Sequence, residues 1–114
     1  MRFFLDNCIS PVLARALNVL AEVQQYQIVH LRERFEPDTK DVAWITILAG
    51  EQGWVILSGD TRISRSKAEK AAWRESGLTA FFMADGWSQK KFWTQAAELV
   101  HWWPAIVLTA RQAT

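Results

Sequence analysis

The chain has 114 residues, half of them hydrophobic and 22% charged, which fits one compact domain over residues 1–114 with a sizeable core and excludes a disordered or fibrous protein. Lys and Arg total 13 against 12 acids, so bulk charge gives no argument for a nucleic-acid partner, and a basic surface has to come from local clustering. The one cysteine, Cys8, excludes an intramolecular disulfide and a cysteine-rich zinc site, and points to a reducing cytoplasm; the default expectation for it is a small buried residue.

Residues 2 to 5 (RFFL) form a short apolar run, read as a strand. It stops at Asp6, too early for the apolar core of a signal segment, and no stretch approaches the roughly 20 apolar residues of a membrane span. No membrane partner is expected. Ser10 and Pro11 start a helix: a hydroxyl cap, then a proline whose missing N–H costs nothing. Leu13, Ala16, Leu17 and Leu20 follow at helical spacing until about Glu22. Tyr26 to His30 reads as a second strand, and the charges and proline of ERFEPDTKD as a loop.

Asp38 or Thr39 can cap a second helix that carries Val42, Ile45, Leu48 and Ala49 on one face and stops at Gly53. Trp54 to Leu57 is continuously apolar, as in a strand buried on both faces. After Ser58, Gly59 and Asp60 a polar, alanine-containing helix runs to about Ser76, with Gly77 as its stop. Thr79 to Met83 reads as a fourth strand. A last helix keeps the stripe Trp93, Ala96, Ala97, Val100 and Trp103 until Pro104 ends it, and Ala105 to Thr109 suggests a fifth strand.

Alternating strands and helices predict an α/β three-layer sandwich: a mostly parallel sheet of four or five strands with helices on both faces, joined by right-handed crossovers. In such sheets the ligand sits beyond the carboxyl ends of the strands, where the strand order reverses. Asp6 follows the first strand and Asp60 comes soon after the third. With the order 2-1-3-4 these two strands are neighbours. Asp41, in the first turn of the second helix, is placed to join them at the same edge.

Three carboxylates in one pocket raise each other's pKa unless a cation intervenes, and oxygen ligands without His or Cys favour Mg2+ or Mn2+. Each acid also has a structural reading: Asp41 favours a helix dipole, and Asp60 suits a turn. Asp6 is the hardest to explain that way, because a charge at the end of a buried strand is costly without a partner. Asn7 and Ser58 are candidates to support the site from behind the ligands.

Phe4-Leu5-Asp6-Asn7 with Ser10-Pro11 and Leu13-Ala14-Arg15-Ala16-Leu17 resembles the opening of the small PIN-like domains found among VapC-type toxins. Asp41-Val42-Ala43-Trp44-Ile45 and Val55-Ile56-Leu57-Ser58-Gly59-Asp60 resemble the family's two later acidic motifs, in the same order. The resemblance implies a metal-dependent endoribonuclease whose Asp6, Asp41 and Asp60 hold one or two Mg2+ or Mn2+ ions. It also implies a toxin of a type II toxin–antitoxin pair, with an RNA substrate and a cognate antitoxin protein. Full PIN domains carry a further acid, where this chain has only Glu33 and Glu36 in a loop. After the last acid the family usually has another Asp and an aromatic, where this chain has Thr61-Arg62-Ile63.

Arg62, Arg65, Lys67, Lys70 and Arg74 follow Asp60, the last three at i, i+3 and i+7 on one helix face. Such a stripe can track RNA phosphates, although it also suits an ordinary solvated face. Seven tryptophans are many for this length. Trp102 and Trp103 point about 100° apart on a helix, so one of them is a candidate for a homodimer or antitoxin contact, with core packing as the default. His30 and His101 lack metal-ligand spacing, no nucleophile has a convincing His partner, and the glycines are too scattered for a phosphate loop. The alternatives are a catalytically weakened PIN-like protein-binding module and, further off, a receiver-like signalling domain. The latter lacks its acidic pair, because Asn7 follows Asp6.

Overall fold

Four apolar runs extend as strands and pair into one sheet: β1 (Arg2–Leu5), β2 (Gln27–His30), β3 (Trp54–Ser58) and β4 (Thr79–Phe82). All pairings are parallel and the order is β2-β1-β3-β4, as the sequence reading supposed. The structure, a computed structural model, describes residues 1–59 and 66–113. Asp60, Arg62 and Arg65 therefore lie outside the described residues.

Parallel strands need crossovers, and helices supply them: α1 (Pro11–Ala21), α2 (Asp41–Glu51) and α3 (Lys67–Ser76), with α4 (Phe92–Ala113) after the last strand. Alternation along each strand sends side chains to two cores. Phe3, Leu5, Ile28, Val55 and Leu57 pack under α1 and α4. Phe4, Val29, Trp54 and Ile56 pack under α2, with Ala72 and Trp73 of α3 against the same cluster. The result is a three-layer α/β sandwich of the expected class. Rings interlock the layers: Phe3 meets Trp103 at 4.6 Å between centroids, and Phe4 meets Trp44 at 5.0 Å. Burying each such ring contributes roughly 1.5–3 kcal/mol.

Ser10 caps α1 as expected, accepting from Val12 N at 3.1 Å, and Gly77 closes α3 in the left-handed region at φ 67°. Other expectations fail for identifiable reasons. The buried face of α1 is Leu13, Ala14, Leu17 and Ala21, so Ala16 and Leu20 point outward. Apolar residues nearly all round this helix made its inner face ambiguous. Helix α2 has Lys40 at its cap position without a side-chain bond, in place of Asp38 or Thr39. Its buried face is Trp44, Ile45 and Leu48, while Val42 is exposed.

The largest correction concerns Pro104, which does not end the last helix. Helix α4 runs through it for 22 residues, so Ala105 to Thr109 is helical and the sheet has no fifth strand there. Proline removes one backbone bond, but Trp103, Ile106, Val107 and Ala110 are buried on both sides of it, and that packing outweighs the loss. The expected stripe is also displaced: Trp93 and Val100 are exposed and Leu99 is buried. No helix among the described residues is long and apolar enough to cross a membrane.

Candidate functional site

The register aligns Leu5 with both His30 and Leu57, so β2, β1 and β3 end at nearly one level. From β1 the chain crosses to β2 on one side, and from β3 to β4 on the other, which makes the β1/β3 boundary the switch point. Asp6 sits at this boundary. Its amide donates to Leu57 O at 3.2 Å, extending the ladder by one step, and its carbonyl accepts from Ile9 N at 3.1 Å as the chain turns toward α1.

The Asp6 side chain is 5% exposed. Oδ1 accepts from Cys8 N at 3.0 Å and Gly59 N at 3.3 Å, and Oδ2 accepts from the Ser58 hydroxyl. Burial pushes the carboxyl pKa above its ordinary value; the bonds from Ser58, Cys8 and Gly59 oppose the rise, and the Asp41 carboxylate adds to it. No cation of the described residues is among these causes. A carboxylate offers about four lone-pair sites, so three donors leave Oδ2 with room for one more ligand.

Asp41, the first residue of α2, is half-buried, and its Oδ1 accepts from Trp44 Nε1 at 3.0 Å. Trp44 is fully buried in the core beneath, so the ring fixes the carboxylate above it. Asn7 does not bond to Asp6. Its Nδ2 donates to Pro37 O at 2.6 Å and its Oδ1 accepts from Arg32 Nε at 3.2 Å, tying the loop ahead of α2 to the residue after Asp6. Ser58 does stand behind Asp6, through its hydroxyl.

Two residues of this edge take roles that the sequence reading did not assign. A Cβ at Gly59 would lie 2.6 Å from Cys8 Cβ and 2.9 Å from both Cys8 O and Trp87 Cδ1, so only glycine lets the β3 turn close on the β1 turn. His30 is buried at the end of β2, with Nε2–H donating to Ile9 O at 2.7 Å and Nδ1 accepting from Arg32 N at 3.0 Å. Burial holds its pKa below the usual histidine value. It is a neutral brace rather than a ligand. Cys8, expected to be buried, is exposed, because its backbone rather than its thiol faces Asp6.

Lys67 and Lys70 are exposed near the start of α3, and Arg74 is exposed in its last turn, toward the opposite edge of the sheet. Of the paired tryptophans, Trp103 is buried and Trp102 is 58% exposed. Trp102 borders an apolar cavity of about 280 Å3 lined by Phe81, Met83, Trp87, Leu99 and Ile106, with the Lys90–Glu98 ion pair at 2.7 Å beside it. Trp87 is shared with the acidic edge, where its Nε1 donates to Cys8 O at 3.2 Å.

Two oxygen donors that repel each other, on rigid supports and with no salt bridge to a cation among the described residues, suit a hard divalent ion. Asp6 and Asp41 would hold it, with Asp60 as the third acid from the sequence. Among the described residues no group of three His, Cys, Asp or Glu side chains gathers. In comparisons with known proteins, no curated protein and no solved structure matches the chain. The model of the PIN-like domain family matches residues 1–85, a span that holds all four strands and Asp6, Asp41 and Asp60. Resting on that match, and in keeping with the sheet order and the acid at its switch point, the assignment is plain: the chain belongs to the PIN-like domain family.

Proposed function

We propose that the protein is a Mg2+- or Mn2+-dependent endoribonuclease that hydrolyses RNA phosphodiester bonds at a centre formed by Asp6, Asp41 and Asp60, and that it is the toxin of a type II toxin–antitoxin pair acting in the cytoplasm. The nuclease-type fold of the family supports the class of reaction. The observation that carries the reading is Asp6: a buried carboxylate at the switch point, with raised proton affinity, a second acid close enough to raise it further and no paired cation among the described residues. The choice of RNA and the antitoxin partner follow from the resemblance to VapC-type toxins.

A bound divalent ion would supply a water of lowered pKa and would neutralise charge on the cleaved phosphate. The chain's own contribution is orientation. Ser58, Cys8 N and Gly59 N hold both oxygens of Asp6, and Trp44 holds Asp41, so little freedom is lost on loading. Lys67 and Lys70, exposed on α3, can attract phosphates without reading sequence. Protonation of Asp6 removes a ligand, so cleavage should fall on the acid side of neutrality earlier than for an exposed aspartate.

The deciding experiment is cleavage of a structured RNA pool by the purified protein in Mn2+ or Mg2+, beside Asp6→Asn and Asp60→Asn. Metal-stimulated cleavage that both substitutions abolish is the expected result. Cleavage that ignores them would be a contaminant. Absence of cleavage under either metal would overturn the enzyme and leave the protein-binding module.

A further inference from the structure

The most unusual surface of this molecule is on α1. Val12, Ala16, Val19 and Val23 follow one another at steps of four, three and four residues, with Leu20 beside them. All are exposed: Val12 by 49%, Val19 by 62%, Leu20 by 55% and Val23 by 90%. The stripe begins with the second residue of α1 and continues into the 3-10 turn Glu22–Gln24. It lies on a different face from Leu13, Ala14, Leu17 and Ala21, which already meet the sheet. Spacing of this kind is that of a helix seam that packs against another helix.

Charge identifies the second helix. Arg15 and Glu22 flank the stripe on the same side, because seven residues bring a helix back to within about 20°. They lie about 10 Å apart along the axis and cannot pair within one chain. Placed antiparallel to a second α1, with the twofold axis midway between Leu17 and Asn18, Val12 meets Val23 of the other copy and Ala16 meets Val19. In that register Arg15 of each copy lies within about 3 Å, along the axis, of Glu22 of the other. One register thus matches both the apolar seam and two ion pairs, a self-complementary arrangement of the kind a twofold interface requires.

We infer that α1 is a homodimer seam at which two copies of this chain pack antiparallel through Val12, Ala16, Val19 and Val23, with reciprocal Arg15–Glu22 ion pairs. Ala16 near the axis lets the backbones approach closely. Helix α1 leaves the sheet beside Asp6, so the two acidic centres lie at opposite ends of the paired helices. This surface does not depend on the nuclease reading.

Sedimentation of the full chain from about 1 to about 100 μM tests it, because one helix per copy places the interface at the weak, micromolar end of specific contacts. A monomer–dimer equilibrium is expected. Val19→Glu, on an exposed position, should give a monomer with an unchanged circular dichroism spectrum. Arg15→Glu and Glu22→Arg should each weaken the dimer by roughly tenfold, since each change strikes twice. The double swap, Arg15→Glu with Glu22→Arg, should restore it. A monomer at the highest concentration, a dimer indifferent to Val19→Glu, or a double swap that fails to restore association would each overturn the inference.

Discussion

The two edges of the sheet treat a carboxylate in opposite ways. At the amino edge Glu51, the last residue of α2, accepts from both ends of the Arg34 guanidinium at 2.8 and 2.6 Å and from Trp54 Nε1 at 2.8 Å, while Arg2 lies 4.3 Å over the Trp54 ring. Arg34 and Trp54 hold the Glu51 pKa down to about 2. At the carboxyl edge Asp6 has three hydrogen bonds and no paired cation among the described residues, and burial wins, pushing its pKa up. The difference is one of completeness. The Glu51 cluster contains its own counter-charge, whereas the Asp6 pocket has none among the described residues.

The largest expected effect follows from removing the Asp6 charge. Asp6→Asn should lower metal-stimulated cleavage by at least about 100-fold and yet raise the melting temperature of the metal-free protein at neutral pH. The sign follows from linkage: with a raised folded pKa, the contribution to stability is full below the ordinary carboxylate range and is lost as pH rises through the folded value. Thermal melts of both proteins in chelator should therefore converge toward acid pH. A wild type that melts higher than Asp6→Asn at neutral pH would break the contrast with Glu51.

His30→Ala should cost about 3 kcal/mol in chemical denaturation, because it opens a cavity and strands Ile9 O and Arg32 N. In the wild type, His30 has a depressed folded pKa, so its neutral form supports the fold above the ordinary histidine value and less as pH falls below it. Gly59→Ala should cost about 2 kcal/mol and also reduce cleavage, since the new methyl pushes the β3 turn away from Cys8 and loosens a donor to Asp6. Loss of stability with cleavage intact would show that this turn does not position the acid. Glu51→Gln should have the smallest effect, a melting temperature nearly unchanged at neutral pH, since the pair is exposed; any contribution is lost only as pH falls toward about 2.

Asp6 was legible in the sequence because a charge that ends a buried apolar run demands a partner. The parallel sheet was legible because apolar strands alternate with helices, whereas its order entered only as a supposition. Asp41 was harder. Its approach to Asp6 depends on a loop pinned by Asn7 to Pro37, and a contact thirty residues apart leaves no periodic trace. Gly59 and His30 were silent for a related reason: a close approach and a buried brace are properties of neighbours, and the residues themselves look like an ordinary turn and an ordinary strand end. The α4 error arose from weighing Pro104 alone, before the burial of Trp103, Ile106 and Val107 around it could be known.

That helix also belongs to the folding unit. The family match stops at residue 85, but Leu99, Trp103, Ile106, Val107 and Ala110 of α4 share with α1 the face of the sheet over Phe3, Leu5, Val55 and Leu57. A fragment trimmed to the matched residues would present those side chains to water as a continuous apolar floor, together with an edge strand, β4, that has no outer neighbour. Such a fragment should be sticky rather than merely less active. For this chain recognisable ancestry stops at least one long helix short of what the packed core needs.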